Sequence, residues 1–291
     1  MISDLAAEYP TRTLCGILEV TRSGYYQWRR RKVPGPRAQA NQQLLEQIRQ
    51  VFEQYRQTYG SPRVMRELRR QQIACSENRV ARLMRHYNIR AKCKSPFRPR
   101  TTDSQHLYGV APNRLAGAGE LTRVNQRWVA DITYVKTAGS WVYLAAVMDL
   151  YSRKIVGWSL GYTLQTSLVK EALEQALALR RPAAGLLHHS DRGSQYASSA
   201  FQALLHSHQI LPSMSSRGNC YDNANIESFW STLKTELIHR QSFHDLPQAS
   251  SAIFEYIEIF YNRQRIHSAL GYKTPVEYEQ NSTYNQKPQS L

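Results

Sequence analysis

The chain reads as an α/β domain preceded by a small, basic, all-α region. Three observations predict this. At Trp128 the hydrophobic period changes from helical to alternating, and β-branched and aromatic residues begin to dominate. From there the element order is three strands, helix, strand, helix, strand, helix. The charge is also divided: Met1–Glu120 carries 22 Lys and Arg against 9 Asp and Glu, and the remainder 16 against 13. The front part therefore holds +13 of the net +16, which suits a polyanion-binding module ahead of a second function.

In chain order, Thr13–Val20 reads as a short helix, Thr21–Gly24 as a turn and Tyr25–Lys32 as a second, basic helix. Val33-Pro34-Gly35-Pro36 breaks that pattern. Asn41–Tyr55 places Leu44, Leu45, Ile48 and Phe52 at helical spacing. Ser61 is positioned to cap the next helix, with Pro62 at its first position. There Val64 and Leu68 face inward, and Arg63, Arg66, Arg69 and Arg70 face out. A third helix, Ser76–Asn88, carries Val80, Leu83, Met84 and Tyr87 as a core stripe, with Asn78, Arg79, Arg82 and Arg85 on its other faces. Three helices with a tight turn before a basic third helix suit a DNA-binding helix-turn-helix. Ala91–Ser104, with Lys92, Lys94, Arg98 and Arg100 between prolines, reads as an extended tether able to track phosphates.

Strands are expected at Trp128–Lys136, Trp141–Leu150 and Lys154–Leu160, with Thr137-Ala138-Gly139 as a hairpin turn. Leu168–Leu179 is an amphipathic helix, capped by Thr166 or Ser167 and stopped before Pro182. A strand into Asp191, a helix Ser198–His208, a short strand near Leu211–Met214 and a helix carrying Glu227 follow. A last helix, Pro247–Arg265, presents Ile253, Tyr256, Ile257 and Phe260. The polar residues after Tyr278 read as disordered. The expected organisation is a short helical piece at 1–36, the helix-turn-helix domain and its basic tether at 37–104, and a linker at 105–122. The α/β domain with a helical extension takes 123–280, and a disordered tail 281–291.

The longest apolar run, Trp141–Met148, has eight residues, against roughly 18 for a membrane span. No membrane partner is expected. The first residues include Asp4 and Glu8 and no basic cluster, so they do not read as a signal peptide. Cys15, Cys75, Cys93 and Cys220 are scattered without a C-x-x-C pair. They read as reduced thiols in a cytoplasmic protein, not as a zinc or disulfide framework.

Three carboxylates stand out. In Asn219–Lys234, Asp222 or Asn223 can cap a helix whose apolar face is Ile226, Phe229, Trp230 and Leu233. Asn223, Glu227 and Lys234 share a second face, because four and seven residues are about one and two turns. Asp191 follows a short apolar run in His188-His189-Ser190-Asp191-Arg192-Gly193-Ser194-Gln195-Tyr196. Asp131 is a charge among the strand residues of Trp128–Val135. A buried carboxylate needs a proton, a partner or a metal, and three of them could converge on hard divalent cations. His188 and His189 could touch phosphate, assist proton transfer or serve only as structural hydrogen-bonding groups. Asp149 ends a strand before a turn, and neither it nor Asp222 is assigned to metal. Trp128 reads as core.

Thirty-five residues separate Asp191 from Glu227, and Lys234 lies seven positions beyond the glutamate. This resembles the Asp-Asp-35-Glu signature of the retroviral-integrase-like transposase superfamily. The words His-Ser-Asp-Arg-Gly-Ser-Gln-Tyr and Tyr-Asp-Asn-Ala-x-x-Glu-Ser-Phe resemble the OrfB-type transposases of the IS-three insertion-sequence family, and the likeness runs from about Leu14 to about Tyr278. The resemblance implies a ribonuclease-H-like, integrase-like fold. It implies Asp131, Asp191 and Glu227 as catalytic residues holding two Mg²⁺ ions, with Mn²⁺ as a substitute, for DNA strand cleavage and transfer at insertion-sequence ends. It makes Lys234 a DNA contact, beside Arg66, Arg69, Arg70, Asn78, Arg79, Arg82, Arg85, Lys92 and Lys94 of the front part. The partners it implies are terminal inverted repeats, target DNA and further copies of the chain on DNA. An upstream OrfA-type product or fusion is a further one, since this sequence has no sustained heptad pattern of its own. The compartment would be the bacterial cytoplasm, at the nucleoid when DNA-bound. A plain metal-dependent nuclease and a catalytically idle DNA-binding regulator are the alternative functions.

Overall fold

The computed structural model describes residues 2–31, 35–91, 111–115, 117–215 and 223–285. They fall into two units that divide after Ala91. Lys92, Lys94, Cys93, Cys220 and Asp222 lie outside the described residues. Cys15 and Cys75 are free thiols.

The first unit is helical: α1 (Ile2–Leu5), α2 (Thr11–Ile17), α3 (Arg22–Arg31), α4 (Pro36–Gln54), α5 (Ser61–Arg70) and α6 (Glu77–His86). The expected turn at Thr21–Gly24 is the start of α3, where the Thr21 hydroxyl accepts from Gly24 N at 3.1 Å. Leu44, Leu45, Ile48, Val51 and Phe52 of α4 are buried, as are Val64, Met65 and Leu68 of α5 and Val80, Leu83 and Met84 of α6. Gly60, not Ser61, holds the N-cap position of α5, with no side-chain cap. Ser76 does cap α6, accepting from Arg79 N. Tyr87, expected in the core stripe, is 41% exposed, because α6 ends at His86. The Arg49 guanidinium lies over its ring at 5.8 Å.

The second unit is a five-stranded mixed sheet in the order β3-β2-β1-β4-β5. Strands β1 (Arg127–Lys136), β2 (Trp141–Asp149) and β3 (Ile155–Gly161) form an antiparallel meander. After α7 (Thr166–Arg180), strand β4 (Leu187–Ser190) adds parallel to β1. Helices α8 (Ser194–Ala197) and α9 (Ser199–Ser207) then lead to β5 (Leu211–Met214), parallel to β4. The chain continues through α10 (Ala224–Glu236) and α11 (Leu246–Phe254), a π-helical stretch (Glu255–Tyr261) and α12 (Pro275–Asn285). Trp128, Ala130, Ala145 and Val147 face a core shared with Leu168, Leu173 and Ala176 of α7 and Phe201 of α9. By strand alternation, Asp131 faces the opposite side, where α10 lies against β1.

One close approach fixes α7 on the sheet. A Cβ added at Gly157 of β3 would stand 2.7 Å from the backbone N of Ala176, and closer still to the carbonyl O of Ala172. Backbone cannot yield as a flexible side chain can. Gly157→Ala is therefore expected to cost about 3 kcal/mol, the upper part of the overpacking range, read as a lower urea midpoint at unchanged slope.

The outer edge of β3 is tied to the C-terminal helices. The Asn262 amide accepts from Ile155 N and donates to Ile155 O, each at 3.0 Å. Trp158 N donates to the Gln175 side chain of α7 at 3.4 Å. The polar stretch after Tyr278 continues as helix to Asn285, where disorder was expected from 281, and residues 286–291 lie outside the described residues. Glu279 holds that helix. It accepts from both terminal nitrogens of Arg180, at 2.9 and 2.7 Å, from Lys154 at 3.3 Å and from Ser152 at 2.8 Å. These donors hold its carboxyl below the usual range, against the opposing effect of burial.

Candidate active site

Strand pairing brings the two aspartates together. β1 and β4 run parallel, with Val129 opposite His189. Asp131 lies midway along β1, two residues past that last pair, and Asp191 follows directly after β4, so the parallel pairing brings the two aspartates to the same region of the sheet. Each is oriented by backbone. Asp131 Oδ1 accepts from Ile132 N at 2.8 Å, and Asp191 Oδ1 from Gly193 N at 2.9 Å. Arg192 Nε donates to Ser215 O at 2.7 Å, fastening the Asp191 turn to the end of β5.

Helix α10 brings the third carboxylate. Ile226, Phe229, Trp230 and Leu233 are buried, as their spacing predicts, and this leaves Glu227 exposed in the first turn. Asn223 is the N-cap residue, but its side chain makes no capping bond. The link to the strand is Trp230, one turn after Glu227, whose indole Nε1 donates to Asp131 Oδ2 at 2.9 Å. A buried indole N–H needs an acceptor, and here the acceptor is the site itself. Trp230 reads from sequence as apolar face alone, so this role is missed there. A second tie joins Arg153, in the turn after β2, to the Asn225 side chain.

The electrostatics follow from this convergence. Burial first, then the Asp191 charge and more weakly Glu227, push the Asp131 carboxyl up from 3.8 to about 7, against the hydrogen bonds from Ile132 and Trp230. Among the described residues no three His, Cys, Asp or Glu side chains are already gathered as a metal-holding group. The donor chemistry nevertheless fits hard divalent cations. Three carboxylates supply only oxygen ligands, and each Asp131 oxygen accepts a hydrogen bond, from Ile132 N or Trp230 Nε1, while offering two lone pairs. Lys234, two turns from Glu227, stands with Nζ 4.5 Å from the centroid of the Tyr134 ring. Burial lowers its pKa and the Asp131 charge opposes that shift, so the lysine lies within electrostatic reach of the aspartate.

The neighbouring polar groups are structural. His188 is buried against Tyr196 and Phe201. Burial, helped by His189, drops its pKa to about 3, so it stays neutral near pH 7. The His189 ring nitrogens pair with the Ser213 and Ser215 hydroxyls at 2.9 and 3.1 Å. Asp149 is fully buried, accepts from Asn125 N and Tyr151 N, and pairs with Arg180 at 3.3 Å. Trp128 is core.

In the helical unit, Arg66, Arg69, Arg70, Asn78, Arg82 and Arg85 are exposed. Arg69 and Arg70 also make internal contacts. Arg69 donates through Nε and Nη2 to Cys75 O, both at 3.2 Å, and Arg70 lies 3.5 Å from Glu67. Arg79 is half-buried, and its Nε donates to Asn41 Oδ1 at 2.9 Å.

A mixed sheet with one carboxylate midway along a central strand, another directly after the neighbouring parallel strand, and a third on the helix packed against the first is the arrangement of a ribonuclease-H-like integrase core. Models of the integrase core domain match residues 122–220 and 208–275, and an HTH-like domain model matches 39–97. A 31 kDa protein of insertion element IS600 from Shigella sonnei is 43% identical over 92% of this chain and 97% of its own length. Transposase InsF of insertion sequence IS3A from Escherichia coli is 38% identical over 94% of this chain and 95% of its own. A magnesium complex of the HTLV-2 integrase catalytic core is 19% identical over 54% of this chain and 97% of that one, with a TM-score of 0.41. The chain belongs to the IS3 family of insertion-sequence transposases. It is an enzyme of DNA transposition, a class that catalyses DNA strand transfer. No described helix is long and apolar enough to cross a membrane.

Proposed function

We propose that the chain cleaves and joins DNA strands at insertion-sequence ends by transesterification, with Asp131, Asp191 and Glu227 holding two Mg²⁺ ions for which Mn²⁺ can substitute. The observation that carries the reading is the electrostatic convergence of the three carboxylates where β1, β4 and α10 meet. Bound there, such ions would neutralise phosphate charge and stabilise the entering and leaving oxygens.

The protein's own part is positioning. Ile132 N and Trp230 fix both oxygens of Asp131, and Gly193 N fixes Asp191. Glu227, exposed on the first turn of α10, can turn its carboxylate toward them. Water attacks first: its oxygen bonds to phosphorus as the strand's P–O bond breaks, freeing a 3′-hydroxyl. That hydroxyl then attacks a target phosphodiester, so one bond replaces another without ATP. The helix-turn-helix region of 37–104, with Lys92 and Lys94 on its tether, would hold the terminal repeats. Further copies on the DNA and an upstream first-frame product would complete the assembly.

The test is a gel assay with labelled native element ends and Mg²⁺. Joined products are expected, with joining raised by the upstream product. Cleavage without joining would mean a plain nuclease, and a shifted band alone a regulator. The isolated Met1–Ala91 unit should bind those ends with an affinity that falls as salt rises, because cation–phosphate contacts release counterions. Absence of binding at low salt would overturn that assignment.

Lys234 supplies a separate prediction. Its backbone lies about 10 Å along the helix axis from Glu227, so only its side chain serves the site, as a cation for phosphates beside the scissile one. Lys234→Ala should reduce joining about tenfold, the effect of losing about 1.4 kcal/mol. Lys234→Arg should keep most of it, and Lys234→Glu should be worse than Ala. Equal joining rates for wild type, Ala and Glu variants at low salt would return Lys234 to a merely structural contact with Tyr134.

A further inference from the structure

Past Asp131, β1 carries a feature that metal-site chemistry does not use. Trp141 pairs across the hairpin with Lys136, and Tyr134 with Tyr143, so Tyr134 and Trp141 are diagonal neighbours on one face. Their ring centroids lie 5.1 Å apart at 79°. Lys136 Nζ stands 6.0 Å from the Trp141 ring centroid and Lys234 Nζ 4.5 Å from that of Tyr134. Trp141 is 50% exposed. β4 pairs with β1 only at Arg127–Val129, which leaves the edge beyond Asp131 open for Lys234 to reach the Tyr134 ring. The result is a row of Lys234, Tyr134, Trp141 and Lys136 on the face of β1 opposite to Asp131, joined to the acidic site by Lys234, which reaches round the strand edge from the helix that carries Glu227.

A half-exposed indole braced edge-to-face by a second ring contributes little to the core. With a cation at each end, it suits a flat apolar group carried on an anionic backbone. Tyr134 lies about 10 Å along the strand from Asp131 and on its other face, so a strand leaving the site has to pass the β1 edge to reach it, a path of a few nucleotides. We propose that Tyr134 and Trp141 form a stacking platform for an unpaired base of the DNA strand beside the scissile phosphate. Lys136 and Lys234 pair with the phosphates on either side of that base. The proposal rests on the strand-transfer reading for the identity of its ligand. It explains why large aromatic residues are kept at the solvent end of the hairpin: every base has a π-face, and stacking accepts any sequence.

The experiment compares a short duplex of the element's own terminus, fully paired or with its last bases mismatched, by fluorescence anisotropy in EDTA, where no cleavage competes. Wild type should bind the unpaired end about tenfold more tightly than the paired one, as one stacked base gives. Trp141→Ala should lose that preference while binding the paired end as wild type does, and Trp141→Phe should keep most of it. With 5-iododeoxyuridine in the unpaired end, ultraviolet cross-links should fall on the peptide containing Tyr134 and Trp141. No preference in wild type, a preference unchanged in Trp141→Ala, or cross-links confined to other peptides would each overturn the platform. Joining is measured separately with Mg²⁺. Preference without joining would overturn the catalytic reading and leave the platform standing.

Discussion

Asp131→Asn, Asp191→Asn and Glu227→Gln are each expected to lower cleavage and joining by about a thousandfold or more, while DNA binding by the helical unit persists. Each change removes one anionic ligand at nearly constant shape. The stabilisation at stake is several kcal/mol, and each 1.36 kcal/mol is tenfold in rate. Near-wild-type joining by any one variant would remove that residue from the site. Asp131→Asn carries a second signature in the metal-free protein. The folded state holds the Asp131 proton up to about pH 7, against an ordinary 3.8. This group's contribution to stability is thus complete below about pH 4 and is lost as pH rises through about 7. At about 1.4 kcal/mol per unit, the loss is at most about 4 kcal/mol. Thermal unfolding from pH 5 to 8 in EDTA should show a decline in wild type that Asp131→Asn flattens. Parallel curves would mean that burial and the Asp191 charge do not raise the Asp131 carboxyl as described.

The largest stability effect is expected nine residues beyond Glu227 on the same helix. Arg265 reaches Glu236 through Nε at 3.1 and 2.9 Å and through Nη2 at 2.8 Å. The Tyr256 hydroxyl donates to the same carboxylate at 2.7 Å. All three side chains are buried. Removing one partner of a buried pair strands the other charge, at about 3–5 kcal/mol. Glu236→Ala should therefore shift the urea midpoint by that amount and loosen α10, lowering joining as well. Replacing Glu236 and Arg265 together with Leu and Met should recover much of the stability, since a well-packed apolar pair often matches a buried ion pair. A double variant no more stable than Glu236→Ala would show that the pair does more than neutralise itself.

The parts legible in the sequence are those with a local pattern. The alternation of β1 and β2, the four-residue β5 at Leu211–Met214, and the Ile226-Phe229-Trp230-Leu233 face of α10 all follow from period and burial. The candidate acidic trio stands out through its spacing and neighbours, and Asp131 falls in a strand, Asp191 directly after one and Glu227 on a helix. Long-range polar pairing was not legible. Nothing near Asp149 announces Arg180 as its partner, nor does the polar stretch after Tyr278 announce that Glu279 would pin a helix to Arg180 and Lys154. Arg79 read as an outward cation because helical spacing cannot show Asn41 of another helix waiting for it. The strand expected at Lys154–Leu160 gave no sign of the close approach at Gly157, since only the packed helix shows that no side chain fits there.

The ties on β3 have a consequence for how copies of the chain can meet. An outermost strand normally offers unpaired N–H and C=O groups as a template for another molecule's strand. Here the Asn262 amide occupies both backbone groups of Ile155, and Gln175 takes Trp158 N. At the opposite margin, Pro212 within β5 has no N–H to donate to a sixth strand. Sheet growth from molecule to molecule is thus obstructed on both sides. Copies of the chain that met on DNA would then do so through side-chain surfaces and not by extending the sheet.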